Sequence, residues 1–272
     1  MHSHAEIPRG ILNASAAENK FRLTWYPPST ELSLVVERYW IVEWDLTGQE
    51  PYRQEKLPHP CVNLVVEKGN TRIFGVEREK TSYLLQGKGK VFGIKFKPGS
   101  FYPFVQTPVS TFTDGSLSIR EVFGVDGHLL EQEILSSPDA KAMVQLAENL
   151  IRRKLPGIDE NVRLIHQIVG RAIADPEMMK VDDLSREFAV HPRTLQRLFR
   201  QYVGVSPKWV LKRYRLHEAA NRVESGEVPD WRKLALDLGY YDQSHFIRDF
   251  KRMIGSSPQE YASRCAGGAG YS

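Results

Sequence analysis

Four polar side chains close to the C-terminus recur at helical spacing and carry hydrogen-bond donors: Gln243, Ser244, Arg248 and Lys251. Glutamine can pair through two hydrogen bonds with the edge of adenine in a DNA major groove, and arginine can pair in the same way with guanine. Lysine and arginine also neutralise phosphates. These residue types therefore suggest hydrogen bonding to a nucleic acid, although an ordinary amphipathic surface helix would show the same alternation.

The residues between these donors predict the helix that must position them. Phe246, Phe250 and Met253 fall at positions i, i+4 and i+7, which form one face of a helix. Asp242 stands just before this pattern and is predicted to cap the helix, because its carboxylate can accept from the free N–H groups of the first turn. The sequence therefore predicts an apolar anchor opposite a face of donors.

The same pattern occurs 51 residues earlier, which makes it an internal repeat. A short apolar helix pattern precedes each copy, at residues 182–188 and 231–238, and a tight turn follows it at residues 189–191 and 239–241. A short helix, a turn and a longer helix are typical of a helix-turn-helix unit. The matched positions are Leu195, Arg197, Phe199, Gly204, Ser206 and Pro207 in the first copy and Phe246, Arg248, Phe250, Gly255, Ser257 and Pro258 in the second.

The second helix of the first copy has the same two faces. Its predicted apolar face is Leu195, Leu198, Phe199 and Tyr202, and its donors are Arg193, Gln196, Arg197 and Arg200. Between the copies, Ser206 is predicted to cap a long helix with Pro207 at its first position. That helix runs towards Val223 and is apolar enough to be a central spacer buried by both units.

The distribution of charged residues along the chain supports this interpretation. Residues 177–264 hold 16 Lys and Arg against 12 Asp and Glu, whereas residues 1–176 hold 21 of each. The formal net charge of +4 therefore lies within the repeat region. An excess of positive charge is what neutralisation of phosphates requires.

The segment from Val181 to Tyr261 resembles the double helix-turn-helix DNA-binding domain of the AraC/XylS transcription regulators. The resemblance implies that the chain binds double-stranded DNA through the eight donors named above, that RNA polymerase is a partner, and that activation is the expected effect. In this family a serine cap is common where this chain has His191, and the position of Arg193 varies, so the resemblance does not imply a target sequence. The second copy carries the signature: Gly239, Asp242, Gln243, Ser244, His245, Phe246, Arg248, Phe250, Lys251, Gly255, Ser257, Pro258 and Tyr261.

The N-terminal region has short runs of β-branched and aromatic residues separated by turn signals, which predict a sandwich or a small barrel. The runs lie at residues 32–44, 62–67, 71–74, 82–85 and 91–96. The region resembles the β-rich sensor half of many AraC-type regulators, and residues 26–40, 57–63 and 93–99 are similar to a poorly characterised subgroup. Its aromatic residues line a ligand pocket in one hypothesis and form the core in the other, which we favour for most of them.

The expected fold class is α+β, with a β-rich N-terminal domain, a helical linker and an all-α C-terminal domain. The expected domains are a regulatory domain at 1–125, a linker or dimerisation region at 126–175, a DNA-binding domain at 176–264 and a flexible tail at 265–272. The start of the chain lacks the order of a signal peptide, and its two cysteines, Cys61 and Cys265, suit a reducing cytoplasm. The sequence contains no window of eighteen apolar residues, so it does not predict a membrane span.

Other chemistry finds little support in the sequence. His59 and Cys61 can supply two zinc ligands, but a site needs three or four, so a packed cysteine and a loop histidine are the favoured interpretation. Residues 88–90 are interpreted as a hairpin turn and not as a phosphate loop. No nucleophile and base pair and no carboxylate pair stands out, so we expect no catalytic residue, metal or cofactor.

The sequence therefore predicts a cytoplasmic, sequence-specific DNA-binding transcription regulator that is not an enzyme and that responds to a small molecule through its N-terminal domain. Two alternatives remain open: a constitutive homodimer that needs no ligand, and a small-molecule-binding barrel with catalytic activity. A further alternative is an architectural protein that binds DNA without a signal, which would show uniform affinity for random DNA.

Overall fold

The computed structural model describes residues 20–268 except residues 158, 176 and 228. Its N-terminal half is built on strands that are rich in β-branched and aromatic residues, as the sequence predicts. The strands are β1 (Arg22–Tyr26), β2 (Val36–Leu46), β3 (Tyr52–Lys56), β4 (Asn63–Glu67), β5 (Arg72–Phe74), β6 (Thr81–Leu85), β7 (Gly87–Phe96) and β8 (Ser116–Ser118).

All strand pairs are antiparallel. One sheet has the order β1-β2-β7-β4-β5-β8, and β3 pairs with β6 in a separate two-stranded sheet. The larger sheet is open, and it shares one cavity with the smaller sheet. The sandwich-like form of the prediction is therefore confirmed.

The hairpin turn predicted at residues 88–90 is wrong. These residues lie inside β7, where Gly87 pairs with Leu46 and Gly89 pairs with Trp44. The two glycines resemble a turn signal in the sequence, but β2 is long enough to provide partners for this whole stretch. Glycine is required at position 89 because the Trp44 ring lies over it, where a Cβ would be 2.1 Å from the ring.

The helical part of the chain begins with short helices and ends with two similar units. The helices are α1 (Tyr102–Val105), α2 (Ile119–Phe123), α3 (Gly127–Leu135), α4 (Ala140–Arg152), α5 (Glu160–Ala174), α6 (Val181–Glu187), α7 (Pro192–Leu198), α8 (Pro207–Glu224), α9 (Trp231–Asp237), α10 (Gln243–Ile254) and α11 (Pro258–Gly268). Helices α6 and α7 form the first unit, α9 and α10 form the second, and α8 joins them. The all-α C-terminal architecture is confirmed.

Three clusters of buried side chains organise the molecule. The sheet core lies between the larger sheet and helices α1 to α4 and includes Tyr39, Phe92, Phe96 and Ile151. The first-unit core contains α5 to α7 and the start of α8. The second-unit core contains the end of α8 with α9 to α11.

The segment 126–175, which the sequence suggests as one linker or dimerisation region, is divided between two of these cores. Helices α3 and α4 bury Leu130, Ile134 and Ile151 in the sheet core. Helix α5 buries Ile165 and Ile168 in the first-unit core. Of the expected tail, residues 265–268 complete α11, whereas residues 269–272 lie outside the described residues, as do residues 1–19 of the expected regulatory domain and residue 176, where the expected DNA-binding domain begins. The domain boundaries themselves stay a prediction.

None of the helices in the described part of the chain has the length and apolar character needed to cross a membrane.

Candidate DNA-binding surface and an adjoining cavity

The first candidate recognition helix is α7, which the π-helical turn Phe199–Val203 continues without a break. It begins at His191, whose Nδ1 accepts a hydrogen bond from the Arg193 N–H at 3.2 Å, so histidine does here what a serine cap does in other helices. Pro192 takes the first helical position, where its missing N–H costs nothing. The predicted apolar face is confirmed as buried: Leu195, Leu198, Phe199 and Tyr202.

The second candidate recognition helix is α10. Asp242 caps it, as predicted, by accepting from the His245 N–H at 2.8 Å. Phe246, Phe250 and Met253 are buried on one face, which confirms the apolar anchor. The ring of Phe250 meets that of Trp231 from α9 edge to face, with centroids 5.2 Å apart, so the two helices of the unit are fixed against each other.

All eight side chains predicted to contact DNA are exposed. None of them has a side-chain hydrogen bond or an ion pair with another residue in the described part of the chain. Such donors are satisfied by water in the free protein and remain available to a ligand. They are Arg193, Gln196, Arg197 and Arg200 in the first unit and Gln243, Ser244, Arg248 and Lys251 in the second.

The turn of the second unit is one residue longer than that of the first. Helices α6 and α9 begin 50 residues apart, at Val181 and Trp231. The caps of the recognition helices, His191 and Asp242, are 51 residues apart. The longer turn ends in Tyr241, which is 99% exposed beside the start of α10. Sequence reasoning missed this residue, although an exposed Tyr next to the buried Tyr240 is a signal for a contact surface.

Helix α8 is the buried spacer that the sequence predicts. Ser206 caps it by accepting from the Trp209 N–H at 3.2 Å. The Trp209 ring packs against both unit cores, so one side chain joins them. Arg215 is 3% exposed, donates to the carbonyl of Ala172 and pairs with Glu218, which ties the spacer to the end of α5. The two recognition helices are therefore mounted on one rigid element.

The N-terminal domain contributes a buried apolar side chain to each unit core. Val76, between β5 and β6, is fully buried in the first-unit core. Leu57, directly after β3, is 2% exposed and belongs to the second-unit core. Each unit is thus completed by a residue from outside the repeat.

Polar contacts from the N-terminal domain fall on equivalent positions of the two units. In the first unit, Gln201 donates from Nε2 to the Tyr102 hydroxyl at 2.6 Å, and the Thr113 hydroxyl donates to the carbonyl of Gly204 at 2.9 Å. The rings of Tyr102 and Tyr202 are also in contact, with centroids 4.2 Å apart. The contact is made of neutral groups.

In the second unit, the positions 51 residues later are contacted by an ion pair, by a backbone hydrogen bond and by the side chain of a lysine. The carbonyl of Arg252 accepts from the Lys80 N–H at 3.0 Å, and the Arg252 Nε lies 2.9 Å from the Glu79 carboxylate. The Lys80 side chain runs over Gly255, where an added Cβ would lie 2.2 Å from Nζ. Both carbonyl ends of the recognition helices are therefore held by the N-terminal domain.

The spacer helix meets the loop after β3 at a buried polar contact. Arg213 is 2% exposed; its Nε donates to the Pro58 carbonyl at 2.8 Å, and its Nη2 lies 3.1 Å from the Nε2 of His59. Arginine only donates, so the His59 ring must accept and be neutral. Burial, together with the charges of Arg213 and Lys95, accordingly holds the pKa of His59 well below its usual value. The histidine is a structural acceptor at the interface.

A cavity of about 220 Å³ lies between the two sheets, on the face of the larger sheet away from the sheet core. Three tryptophans line it, which supports the pocket hypothesis for part of the aromatic set, while Tyr39, Phe92 and Phe96 belong to the sheet core. Leu57 and His59, which touch the C-terminal domain, also line it. The cavity wall and the domain interface therefore share residues.

Comparison with known proteins agrees with this geometry. Residues 184–264 match a family described as a helix-turn-helix domain, and residues 24–118 match a domain of unknown function, DUF6597. The chain is 26% identical over 130 residues to the arabinose operon regulatory protein of Escherichia coli strain K12, covering 45% of this chain and 44% of that protein. It is 31% identical over 119 residues to the transcriptional activator RhaS of Escherichia fergusonii, covering 43% of this chain and 42% of that protein.

The matched region is thus under half the length of either curated relative. Among solved structures, the chain is similar to ToxT from Vibrio cholerae O395 with a TM-score of 0.35 and 12% sequence identity, over 92% of this chain and 100% of ToxT.

Proposed function

We propose that the chain is a sequence-specific DNA-binding transcription regulator of the AraC type, because residues 184–264 match a helix-turn-helix domain and residues 24–118 match DUF6597. The proposal rests above all on one observation: two equivalent helices, fixed on one buried spacer, each present four exposed donors without a hydrogen bond or ion pair in the described residues. Arg and Gln at such positions read base edges, and Lys neutralises phosphate.

The spacing of the two helices defines a footprint. Successive major-groove segments on one face of DNA recur at about 34 Å. We expect α7 and α10 to enter two successive segments, with Tyr241 close to the backbone at the second. In this arrangement the bound site consists of two unequal half-sites, because the donors of the two helices differ.

Selection from a random DNA pool, followed by footprinting of the selected site, tests the proposal. The expected result is a site with defined bases in two groove segments one helical turn apart. Uniform affinity over random DNA would contradict sequence-specific regulation and favour an architectural role. Protection of a single groove segment would leave DNA binding in place and overturn the two-helix geometry.

The finer proposal is that the N-terminal domain is the regulatory part and that a small molecule in the cavity changes DNA affinity or promoter activation. It is supported by the shared wall: His59 contacts both the cavity and the spacer helix, and Leu57 lines the cavity and packs in the second-unit core. A ligand acts only through its different affinities for two states, and such couplings are typically about 1–3 kcal/mol.

The direction of regulation and the partners belong to the same proposal. We propose activation, through contact with RNA polymerase at the promoter. Screening of metabolites by thermal shift, with the full chain, tests for an effector. A chain that no compound stabilises and that is a constitutive dimer by light scattering would favour dimerisation as the task of the N-terminal domain.

A further inference from the structure

The residues on the cavity face of the larger sheet fall into rows, which the strand register defines. In one row, Arg38 of β2 and Asn63 of β4 flank Lys95 of β7. In the next row, Trp25 pairs with Trp40, which pairs with Gly93, which pairs with Val65. A polar row thus borders an aromatic row on one floor.

A β-bulge builds the polar row. The register of β2 and β7 shifts between Val36 and Arg38, so Glu37 is the extra residue of the bulge. A bulge turns consecutive side chains towards the same side of a sheet. One oxygen of Glu37 consequently lies 2.7 Å from the Arg38 guanidinium and 3.0 Å from the Lys95 ammonium. Two cations therefore share one carboxylate oxygen.

The polar row keeps an excess of positive charge and of donors. Glu37 is the one anionic partner that Arg38 and Lys95 have within the described ranges, and the remaining N–H groups of Arg38 have no protein acceptor there. Burial works against ionisation of Glu37, but the two cations outweigh it and lower its pKa. A guanidinium with free N–H groups beside an ammonium is suited to a second carboxylate.

The aromatic row is flat because glycine leaves space for a ring. A Cβ on Gly93 would lie 1.9 Å from the Trp40 indole, so any other residue would push the ring off the sheet. Trp25 is 37% exposed and continues this floor to the rim, with the Arg38 guanidinium 5.0 Å from its ring centre. Flat aromatic surfaces are suited to stacking of a planar apolar group.

The other charged groups of the wall are paired or lie far from the polar row. Lys56 pairs with Glu77 at 2.5 Å, and Glu55 pairs with Lys80. Glu67 stands two rows away from Lys95, beside Val91. Burial raises the pKa of Glu67, which weakens any attraction for a cation at that end.

We propose that the cavity binds a compact organic acid, whose carboxylate joins Glu37 on Arg38 and Lys95 and whose planar apolar body lies on Trp40 and Trp25. This inference rests on the proposed function, which places a small-molecule effector in the same cavity, and it adds the chemical class of that effector. It also gives the effector a route to the spacer helix, since the polar row adjoins Cys61 and His59, and His59 contacts Arg213.

Calorimetric titration of the full chain with three compounds of one shape tests the proposal. The compounds are 2-naphthoate, the neutral 2-naphthamide and the cationic 2-naphthylmethylamine. We expect the acid to bind about 10- to 100-fold more tightly than the amide, which is what charge-assisted hydrogen bonds are worth. The variants Arg38→Met and Lys95→Met should reduce the affinity for the acid to about that for the amide.

Lys88→Met is the matched control, because Lys88 lies on the same strand with its side chain 76% exposed at the other end. It should leave the preference for the acid unchanged. If Arg38→Met fails to fold, Arg38→Lys keeps the test valid, because it should retain the preference with a smaller ratio. The comparison of three compounds on the unchanged protein needs no variant at all.

Equal affinity for acid and amide, a preference for the amine, or no binding of any of the three at millimolar concentration would each overturn the organic-acid proposal. None of these results bears on DNA binding, which the selection experiment decides separately. Binding of the amide without the acid would also overturn the organic-acid proposal, and it would make the cavity a site for a neutral ligand.

Discussion

The two helix-turn-helix units share a plan but are held by the N-terminal domain through different chemistry. The first unit is held at positions 201 and 204 by Tyr102 and Thr113, which are neutral. The second is held at positions 252 and 255 by the segment before β6, through an ion pair from Glu79, the backbone N–H of Lys80 and the Lys80 side chain that lies over Gly255. The repeat explains why the positions are equivalent, and the difference lies outside the repeat.

Because of this difference, we expect the contacts of the two units with the N-terminal domain to respond differently to salt. A packed neutral contact depends on shape and burial, whereas an ion pair on the surface contributes about 0–1 kcal/mol and is screened by salt. Arg252 and Glu79 have side chains that are 62% and 54% exposed, so their pair belongs to the weak class. We therefore expect the second unit to separate from the N-terminal domain more easily than the first.

The largest effect should come from the buried anchors, and it should be alike in both units. Phe199→Ala and Phe250→Ala each remove a ring that is at most 1% exposed, which typically costs about 3–5 kcal/mol. The expected result is a lower melting temperature with an unchanged base preference in the protein that remains folded. Leu236→Ala, at a site 63% exposed, is the control and should change little.

An altered base preference at normal melting temperature would contradict the assignment of the buried face. A large loss for one ring and none for the other would show that the two units differ in their cores as well as in their contacts.

The next largest effect is a loss of folding stability at low pH, caused by a histidine in helix α5 of the first-unit core. His166 of α5 lies 2.9 Å from the Ser100 hydroxyl, and burial, with the charge of Lys97, lowers its pKa to about 4. The unfolded chain takes up this proton near pH 6.5 and the folded chain near pH 4, so stability falls as pH decreases between these values. The loss is on the order of 2–3 kcal/mol, after allowance for partial exposure.

Thermal melting of the wild type and His166→Gln measures this difference between about pH 7.5, roughly one unit above the unperturbed histidine pKa, and about pH 4.5, close to the lowered pKa of His166. The slope should be smaller in the variant. Some slope remains, because the low pKa of His59 acts in the same direction. Equal slopes would exclude His166 as a source of acid sensitivity.

Arginines at matching positions of the two recognition helices come next. Arg197→Ala and Arg248→Ala should each cost about 1–3 kcal/mol on the selected site and relax base preference in one half of it. Lys68→Ala removes an exposed charge from the N-terminal domain and should leave binding unchanged. Equal losses on selected and random DNA would make these arginines phosphate contacts.

These comparisons also show what could be derived from the sequence. Helix faces, caps and the spacer follow from local periodicity, and the predicted anchors Phe246 and Phe250 are buried as expected. The cavity could not be derived in the same way, because its polar row depends on the register of β2, β4 and β7 and on a bulge at Glu37. The contacts on positions 201, 204, 252 and 255 depend on how the halves pack, which no local pattern encodes.

The smallest effect tests most directly how the contacts of the N-terminal domain differ between the two units. Gly204 and Gly255 follow the recognition helices with φ of 94° and 102°, a region that favours glycine, so alanine at either position costs about 1–3 kcal/mol. The surroundings then separate the two sites. A Cβ on Gly204 would lie 2.7 Å from the Thr113 hydroxyl and 3.0 Å from Val109, both in a packed region, whereas on Gly255 it would meet the movable end of Lys80.

We therefore expect Gly204→Ala to lower the melting temperature more than Gly255→Ala. The excess should be within about 1 kcal/mol, because a modest shift of neighbours relieves part of the clash. Adding Lys80→Ala to Gly255→Ala should cost no more than Lys80→Ala costs alone through its lost ion pair with Glu55, since the far end of that side chain can shift. Thr113→Ser should leave the loss from Gly204→Ala in place because its Oγ remains. A larger loss at Gly255 than at Gly204 would mean that the charged hold is the firmer one, and the expected order of release of the two units would be reversed.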